Sequence, residues 1–144
     1  MRKIERIFVH CTASSQRTTV SGILAEFRQK GWRYPGYHYL VSPDGTVTQL
    51  LDEKLVSNGV QGFNATSVNV AYIGGIRKEN RKIVPVDNRT PEQKAALREL
   101  LAKLHAKYPD AHIMGHRSIW GEDHPEKWKK ACPCFNAVDE YKDL

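Results

Sequence analysis

The sequence predicts an α/β protein of one domain, in which a central mixed β-sheet of about five strands is flanked by about three helices. The length of 144 residues suits a single hydrophobic core. Hydrophobic residues make up 40% of the chain and charged residues 26%, as in an ordinary globular protein. Segments with strand periodicity interleave with segments of helical periodicity, which favours α/β or α+β packing around one sheet. We therefore expect one domain over residues 1–144.

The first two elements follow from periodicity. The segment 4–14, IERIFVHCTAS, predicts a strand with one face formed by Ile7, Val9 and Cys11 and the other by Phe8, His10 and Thr12. The segment 19–32, TVSGILAEFRQKGW, predicts a helix whose apolar residues recur at helical spacing. Gly31 is suited to the position just after the end of this helix, because glycine tolerates the left-handed backbone found there.

The central part of the chain predicts a β-hairpin and a buried strand. In the segment 37–51, YHYLVSPDGTVTQLL, a Pro-Asp-Gly turn separates two strands. The segment 68–76, VNVAYIGGI, predicts a further, mostly buried strand. The segment 80–89, NRKIVPVDNR, is interpreted as a polar connection.

The last third of the chain begins with the strongest helix prediction, over residues 91–107. Thr90 and Gln93 form a T-x-x-Q capping box, and Pro91 occupies the first helical position. The segment 111–116, AHIMGH, predicts a last short strand, and a terminal helix is expected after Asn136.

Composition limits the cellular context. The net charge of +6 favours anionic partners, although a solvated basic surface is the simpler interpretation. Three cysteines are an odd number and argue against a disulfide framework. The start of the chain lacks the apolar core of a secretory signal, and no apolar run approaches the roughly 20 residues of a membrane helix. We therefore expect a protein that is cytoplasmic when synthesised and does not insert stably into membranes.

Two histidines at strand ends and a cysteine near the end of the chain indicate a metal site. His10 and His116 each stand at the exit of a predicted strand, where ligands of open sheets bind. With the thiol of Cys132 they would give zinc three protein ligands and one open position, as in catalytic sites. His112 faces the same side as His116 but lies roughly 13 Å from it, so at most one of the two can ligate. The residues alone do not separate Cys132 from Cys134.

Several other polar residues have simple structural interpretations. Tyr37 can be an ordinary half-buried strand aromatic, and Lys129 and Lys130 can be solvated charges. His124 can be a surface residue in a loop. Cys11 points away from His10 and is expected to pack in the core.

Five blocks of the sequence resemble one known family. In chain order they are IFVHCTAS, GYHYLVSPDGTV, GFNATSVNVAYIGGI, TPEQKAALRELLAKLHAKYP and KACPCF. They resemble the zinc N-acetylmuramoyl-L-alanine amidases, in particular the small bacteriophage lysozymes of that kind, which are similar in turn to the peptidoglycan recognition proteins. The blocks cover nearly the whole chain.

The resemblance implies a fold and a reaction. It implies a central mixed sheet flanked by helices, with zinc in a cleft at one edge of the sheet. The zinc ligands would be His10, His116 and Cys132, and the catalytic residues Tyr37 and Lys130. The implied reaction is hydrolysis of the amide between the muramic acid lactyl group and L-alanine of peptidoglycan. The protein would then be a phage- or prophage-type endolysin, a monomer without a wall-binding domain, acting on the cell wall after release.

This sequence departs from the family pattern at four places. Ala71 stands where the cytosolic recycling branch carries a glutamate, which removes a candidate base. Phe27 and Arg28 replace a tryptophan–histidine pair of many relatives, and Gly59 replaces a frequent histidine. The segment 118–128 is longer than in the compact phage enzymes, and we expect it to form one wall of the cleft.

Three other interpretations are weighed against the endolysin. A non-catalytic peptidoglycan-binding module is disfavoured because His10, His116 and Cys132 are all present. A nucleic-acid binder with a structural zinc is disfavoured because such sites usually have four closely paired protein ligands. A cytosolic muropeptide-recycling amidase is disfavoured by the alanine at position 71.

Overall fold

A computed structural model describes residues 2–144 and contains a five-stranded mixed sheet with the order β3-β2-β4-β1-β7. The strands of this sheet are β1 Arg6–Cys11, β2 Tyr39–Val41, β3 Val47–Gln49, β4 Ser67–Tyr72 and β7 His112–Gly115. A separate hairpin consists of β5 Ile76–Glu79 and β6 Lys82–Pro85. The helices are α1 Val20–Gln29, α2 Pro91–Lys107 and α3 Ala137–Glu140.

The strand directions bring the ends of β1 and β7 together. β1 pairs in parallel with β4 on one side and with β7 on the other, whereas β2 and β3 form an antiparallel hairpin. In the β1–β7 register Val9 lies beside Gly115, so the next residues, His10 and His116, lie side by side where β7 ends. The predicted fold, one domain with a mixed sheet and three helices, is confirmed.

Hydrophobic side chains cover both faces of the sheet. One face of β1 and β4 packs against α2 and the C-terminal segment, burying Ile7, Val9, Cys11, Val68, Val70, Tyr72, Leu97 and Leu101. On the other face, Ile23 and Phe27 of α1 pack against Leu40, Ala71 and Ile73. The alternation predicted for β1 is confirmed, and Cys11 packs in the core as expected.

The helix ends agree with the sequence signals. In α2 the Thr90 side chain accepts a hydrogen bond from the Gln93 backbone N–H, and the Gln93 side-chain oxygen accepts one from the Thr90 backbone N–H. In α1 the Thr19 hydroxyl caps the first turn, and Gly31 follows with a φ of 76°. Among residues 2–144, no helix has the length and apolar character needed to cross a bilayer.

The segment 80–89 differs from its interpretation as a polar connection. Residues 82–85 form β6, which pairs antiparallel with β5. The turn between these strands is tight because Asn80 and Arg81 both adopt positive φ, 49° and 65°. Asn88 anchors the hairpin, since its side chain accepts from the Gly75 N–H and donates to the Ile76 carbonyl. The interpretation was wrong because most side chains of this hairpin are exposed, which leaves no hydrophobic alternation to detect.

Arg89 joins the C-terminal helix to the rest of the domain. Its side chain is 1% exposed and forms ion pairs with Asp87 and Glu140. The guanidinium also donates to the Tyr141 hydroxyl and lies 3.5 Å from the centre of the Phe135 ring. Burial opposes ionisation of Asp87, but bonds to Arg89 bring the pKa of that carboxyl below its usual value. Hydrogen bonding to Arg89 likewise lowers the pKa of Glu140.

We expect Arg89→Ala to lower the free energy of unfolding by about 3–5 kcal/mol, because it removes the buried partner of two carboxylates. Urea denaturation at neutral pH measures this. Since both carboxyl pKa values are lowered in the folded state, their contribution is present above the unfolded pKa values and is lost as the pH falls through the folded ones. The difference between wild type and variant should therefore shrink in acid. Arg98→Ala, at an exposed pair with Asp143, is the control and should change little.

Candidate active site

A cavity of about 470 Å³ opens where β1 and β7 end. Its wall includes the five residues singled out from the sequence, namely His10, Tyr37, His116, Lys130 and Cys132. Glu26 of α1, Lys30 and Trp32 from the segment after this helix, and Ile83 of the β5–β6 hairpin complete it. The sheet therefore forms the base of the cavity, and separate elements form its sides.

Each of the three predicted metal ligands is positioned by the fold. His10 and His116 are neighbours because β1 and β7 run in parallel. Cys132 reaches them from the C-terminal loop, where its sulfur accepts a hydrogen bond from the Cys11 backbone N–H at 3.2 Å. Its carbonyl accepts from the Arg117 N–H at 2.9 Å, and the Tyr72 hydroxyl donates to the next carbonyl, that of Pro133. These hydrogen bonds to the sulfur and to the main chain of the loop fix the position of the Cys132 sulfur next to the two histidines.

The geometry of this cluster suits zinc. One ligand atom from each of His10, His116 and Cys132 lies within 4.8 Å of the other two. The distance between His10 Nδ1 and Cys132 Sγ is 3.7 Å. Two ligands of one tetrahedral zinc, with bonds of about 2.0 Å to nitrogen and 2.3 Å to sulfur, are separated by roughly 3.5 Å. Two imidazoles and a thiol are also donors that zinc prefers, so these residues could hold that ion.

Burial keeps both histidines neutral, as metal binding requires. Burial lowers the pKa of His10 to about 4, with Lys130 adding to the effect and a hydrogen bond to Asn69 opposing it. Burial likewise lowers the pKa of His116 to about 3, helped by His10 and Lys130. The His116 ring is further held by stacking on Trp120, with 5.4 Å between ring centres.

Tyr37 stands over His10, with 5.2 Å between the two rings. Its hydroxyl lies 3.4 Å from the Cys11 carbonyl, to which it donates. Burial holds the pKa of this hydroxyl well above its ordinary value, so Tyr37 is a protonated donor at neutral pH. Phe27 packs edge-on against Tyr37 and face-on against Trp32. The Phe27 position, a departure from the family pattern, therefore supports the tyrosine ring.

The structure separates residues that the sequence left together. Lys130 lines the cavity, whereas Lys129 does not. Cys132 belongs to the three-residue cluster, whereas the Cys134 sulfur lies against that of Cys11 at 3.8 Å and outside the cluster. His112 is exposed on β7 and His124 is exposed in a loop.

The segment 118–128 differs from its expected place. None of its residues lines the cavity. It packs behind His116 instead, where Glu122 accepts from Arg117 and Ser118, and Arg117 stacks on Trp128. The segment therefore braces a short 3₁₀ helix, His116–Trp120, which follows β7, rather than forming a cleft wall.

Sequence reasoning missed a set of buried polar residues beside His10. Asn69 of β4 bonds to the His10 ring at 2.7 Å and to the Ser57 hydroxyl at 2.7 Å. Ser57 in turn lies 3.2 Å from Nδ1 of His38, and all three of Asn69, Ser57 and His38 are fully buried. The one signal in the sequence was Asn69 itself, a polar residue within a predicted strand whose neighbours are apolar.

Gly59 is adapted to this asparagine. A Cβ atom at position 59 would lie 2.4 Å from the side-chain carbon and oxygen of Asn69, too close for any real contact. Glycine here thus leaves room for the Asn69 amide. Ala71, another position at which the sequence departs from the family pattern, is fully buried and lies opposite His10 in the β1–β4 pairing.

We expect Gly59→Ala to destabilise the fold by about 1–3 kcal/mol, because the added methyl must displace Asn69 from a packed position. Thermal unfolding measures this. Gly22→Ala is the control, since its Cβ would meet only ordinary contacts, the nearest at 3.4 Å, within a helix that favours alanine. A Gly59→Ala protein that is as stable as wild type would show that the amide has room to move.

Comparisons with known proteins agree with this geometry. Residues 1–135 match the model of the N-acetylmuramoyl-L-alanine amidase family. The chain is 37% identical over 139 residues to an endolysin of Klebsiella phage KP32, covering 94% of this chain and 83% of the relative. It is 36% identical over 134 residues to an endolysin of Escherichia phage T7, covering 92% and 82%.

A solved structure extends the likeness to the fold. The N-acetylmuramoyl-L-alanine amidase LysC from Clostridium intestinale URNW superposes with a TM-score of 0.77 at 25% identity, over 99% of this chain and 85% of that one. The family match and the phage relatives together establish the reaction class as that of a phage-type peptidoglycan amidase. The chain belongs to the N-acetylmuramoyl-L-alanine amidase family.

Proposed function

We propose that this amidase is a zinc enzyme in which His10, His116 and Cys132 hold the metal. The observation that carries the proposal is the convergence of three suitable donors at the base of one cavity. Three protein ligands leave one position open, which is the arrangement of catalytic rather than structural zinc. When bound, zinc supplies a Lewis acid and a water molecule of lowered pKa.

Lys130 is proposed to stabilise negative charge on the substrate. Its side chain borders the cavity, and its charge already reaches both histidines, since it contributes to lowering the pKa of each. A cation beside the cluster favours the oxyanion that develops on the amide carbonyl during attack. An ammonium group has no lone pair for a metal, so Lys130 is assigned to the transition state rather than to zinc.

Tyr37 is proposed to donate a hydrogen bond to the reacting group. Its hydroxyl remains protonated at neutral pH, and its bond to the Cys11 carbonyl is long at 3.4 Å. The O–H can therefore turn to a better acceptor when substrate enters. The ring is held by Phe27, so this turn needs only rotation of the hydroxyl.

The proposed substrate is peptidoglycan, cleaved between the muramic acid lactyl group and L-alanine. Carboxylates of the peptide stem would meet Lys30 and Lys130, which line the cavity together with one acidic residue, Glu26. We further propose that the protein acts as a monomer on the cell wall after its release.

The test is digestion of purified peptidoglycan, followed by mass spectrometry of the soluble products. We expect peptides that begin with a free L-alanine, together with glycan chains that keep the lactyl group. New reducing sugar ends, or peptides that begin with an internal residue of the stem, would identify a different hydrolase. The Cys132→Ala protein, purified in parallel, controls for contaminating wall enzymes.

A further inference from the structure

Asn69 is the centre of a buried hydrogen-bond chain that leads to His10. Its side chain contacts His10 Nε2 and Ser57 Oγ, each at 2.7 Å. Its backbone N–H donates to His38 Nδ1 at 3.0 Å, and its carbonyl accepts from the His38 N–H at 2.8 Å. One residue therefore connects His10 with the segment that carries Tyr37.

The direction of this chain follows from its one fixed donor. A backbone N–H can only donate, so Nδ1 of His38 must be an unprotonated acceptor. The ring proton of His38 then lies on Nε2, which donates to the Leu55 carbonyl at 2.8 Å. Arg2 Nη2, at 3.4 Å from the same nitrogen, adds no acceptor and leaves this assignment unchanged.

The remaining protons are then determined in sequence. The Ser57 hydroxyl, 3.2 Å from the same nitrogen, donates there as well, so this O–H and the Asn69 N–H share the one lone pair of Nδ1. The Ser57 oxygen is left to accept, so the group of Asn69 that faces it is the NH₂. The amide oxygen of Asn69 therefore faces His10, and Nε2 of His10 must carry the ring proton.

This proton placement determines the state of Nδ1, the other nitrogen of the His10 ring. With the proton on Nε2, the lone pair of a neutral imidazole lies on Nδ1. This nitrogen is the one that points toward the Cys132 sulfur, at 3.7 Å. His10 is thus held in the one tautomer that can ligate a metal within the cluster.

We propose that Asn69 is a positioning residue, which fixes the tautomer and the orientation of His10 so that Nδ1 is presented to zinc. The inference rests on the proposed role of His10 as a ligand. Partners that hold the second nitrogen of a metal-binding histidine typically contribute about 10–100-fold in metal affinity. Asn69 does this with an uncharged amide, whose own orientation is set by Ser57 and His38.

The test compares zinc affinity and stability in two variants of Asn69. Asn69→Leu has nearly the same shape but no acceptor, and we expect zinc affinity, measured by competition with a chelating dye, to fall about 10–100-fold. Asn69→Asp still accepts from His10, so its affinity should stay within a few-fold of wild type. Asp should nevertheless be the less stable of the two without metal, because it buries a charge.

A positioning role is identified when the two variants rank in opposite order for zinc affinity and for stability: Asn69→Leu binds zinc more weakly, whereas Asn69→Asp is less stable. A merely structural residue would lose zinc in proportion to its loss of stability, so Asn69→Asp would bind zinc more weakly than Asn69→Leu. That result, or wild-type affinity in a folded Asn69→Leu protein, would overturn the inference. If His10→Ala also binds zinc like wild type, the ligand assignment itself has failed; if only His10→Ala loses zinc, the positioning role alone has failed.

A measurement on the wild-type protein needs no variant to fold. Imidazole nitrogen spectra of the ¹⁵N-labelled, zinc-loaded protein should show a proton on Nε2 of His10 and the metal on Nδ1. Zinc on Nε2, or a proton on Nδ1, would overturn the inference whatever the variants do.

Discussion

Replacing Cys132 with alanine is expected to remove the metal and with it nearly all amide hydrolysis. The variant loses the sulfur that lies 3.7 Å from His10 Nδ1, and two histidines are too few to hold zinc firmly. Since a bound zinc stabilises transition-state charge by several kcal/mol, we expect activity to fall by roughly 10³-fold or more. Zinc content and release of wall peptides measure the two effects on the same preparation.

Cys134→Ala is the matched control. Cys134 stands two residues away and is also a free thiol, but its sulfur contacts Cys11 and the Gly75 carbonyl, outside the three-residue cluster. This variant should keep its zinc and its activity. Retention of zinc by Cys132→Ala and its loss from Cys134→Ala would contradict the ligand assignment.

The second large effect is expected at the two residues assigned to the transition state. Lys130→Ala and Tyr37→Phe should each lower the hydrolysis rate by about 10²–10³-fold, or roughly 3–4 kcal/mol, the usual effect of losing one donor to an oxyanion. Both variants should keep a full zinc content. Lys130 is exposed, and the Tyr37 hydroxyl makes one long hydrogen bond, so neither change should alter thermal stability much.

Lys129→Ala provides the control for the lysine. Lys129 is an exposed neighbour of equal charge that does not line the cavity. Its replacement should leave hydrolysis nearly unchanged. An essential Lys129 beside a dispensable Lys130 would show that charge near the cavity, rather than a placed ammonium group, is what matters.

The fold was most predictable where local signals agreed with burial. The alternation of β1 follows from Ile7, Val9 and Cys11, which are buried on the face against α2. The start of α2 follows from the capping box of Thr90 and Gln93, because both partners lie within one turn. Such features depend on residues close together in the chain, so the sequence contains all that determines them.

The parts that were missed depend on distant contacts. The β5–β6 hairpin is held by Asn88 and by a bridge between Ser14 and Gly75, which no local pattern reveals. Asn69 meets Ser57 and His38 only after β4 has paired with the neighbouring strands. Polar residues that satisfy one another inside the core are identified by geometry rather than by periodicity.

The candidate site lies between these cases. Residue type and position at strand ends suggested His10 and His116, and the resemblance to the amidases selected Cys132, Tyr37 and Lys130. Spacing alone could not distinguish Cys132 from Cys134. Their difference arises from long-range hydrogen bonds, above all the Cys11 N–H that meets the Cys132 sulfur.

A crystal structure of the zinc-loaded protein, with anomalous differences measured at the zinc edge, tests the central claim most directly. We expect one strong peak per chain, bonded to Nδ1 of His10, to one ring nitrogen of His116 and to Sγ of Cys132, at about 2.0–2.1 Å from nitrogen and 2.3 Å from sulfur. A peak between Cys11 and Cys134, or no ordered zinc in a protein that releases L-alanine peptides, would contradict it.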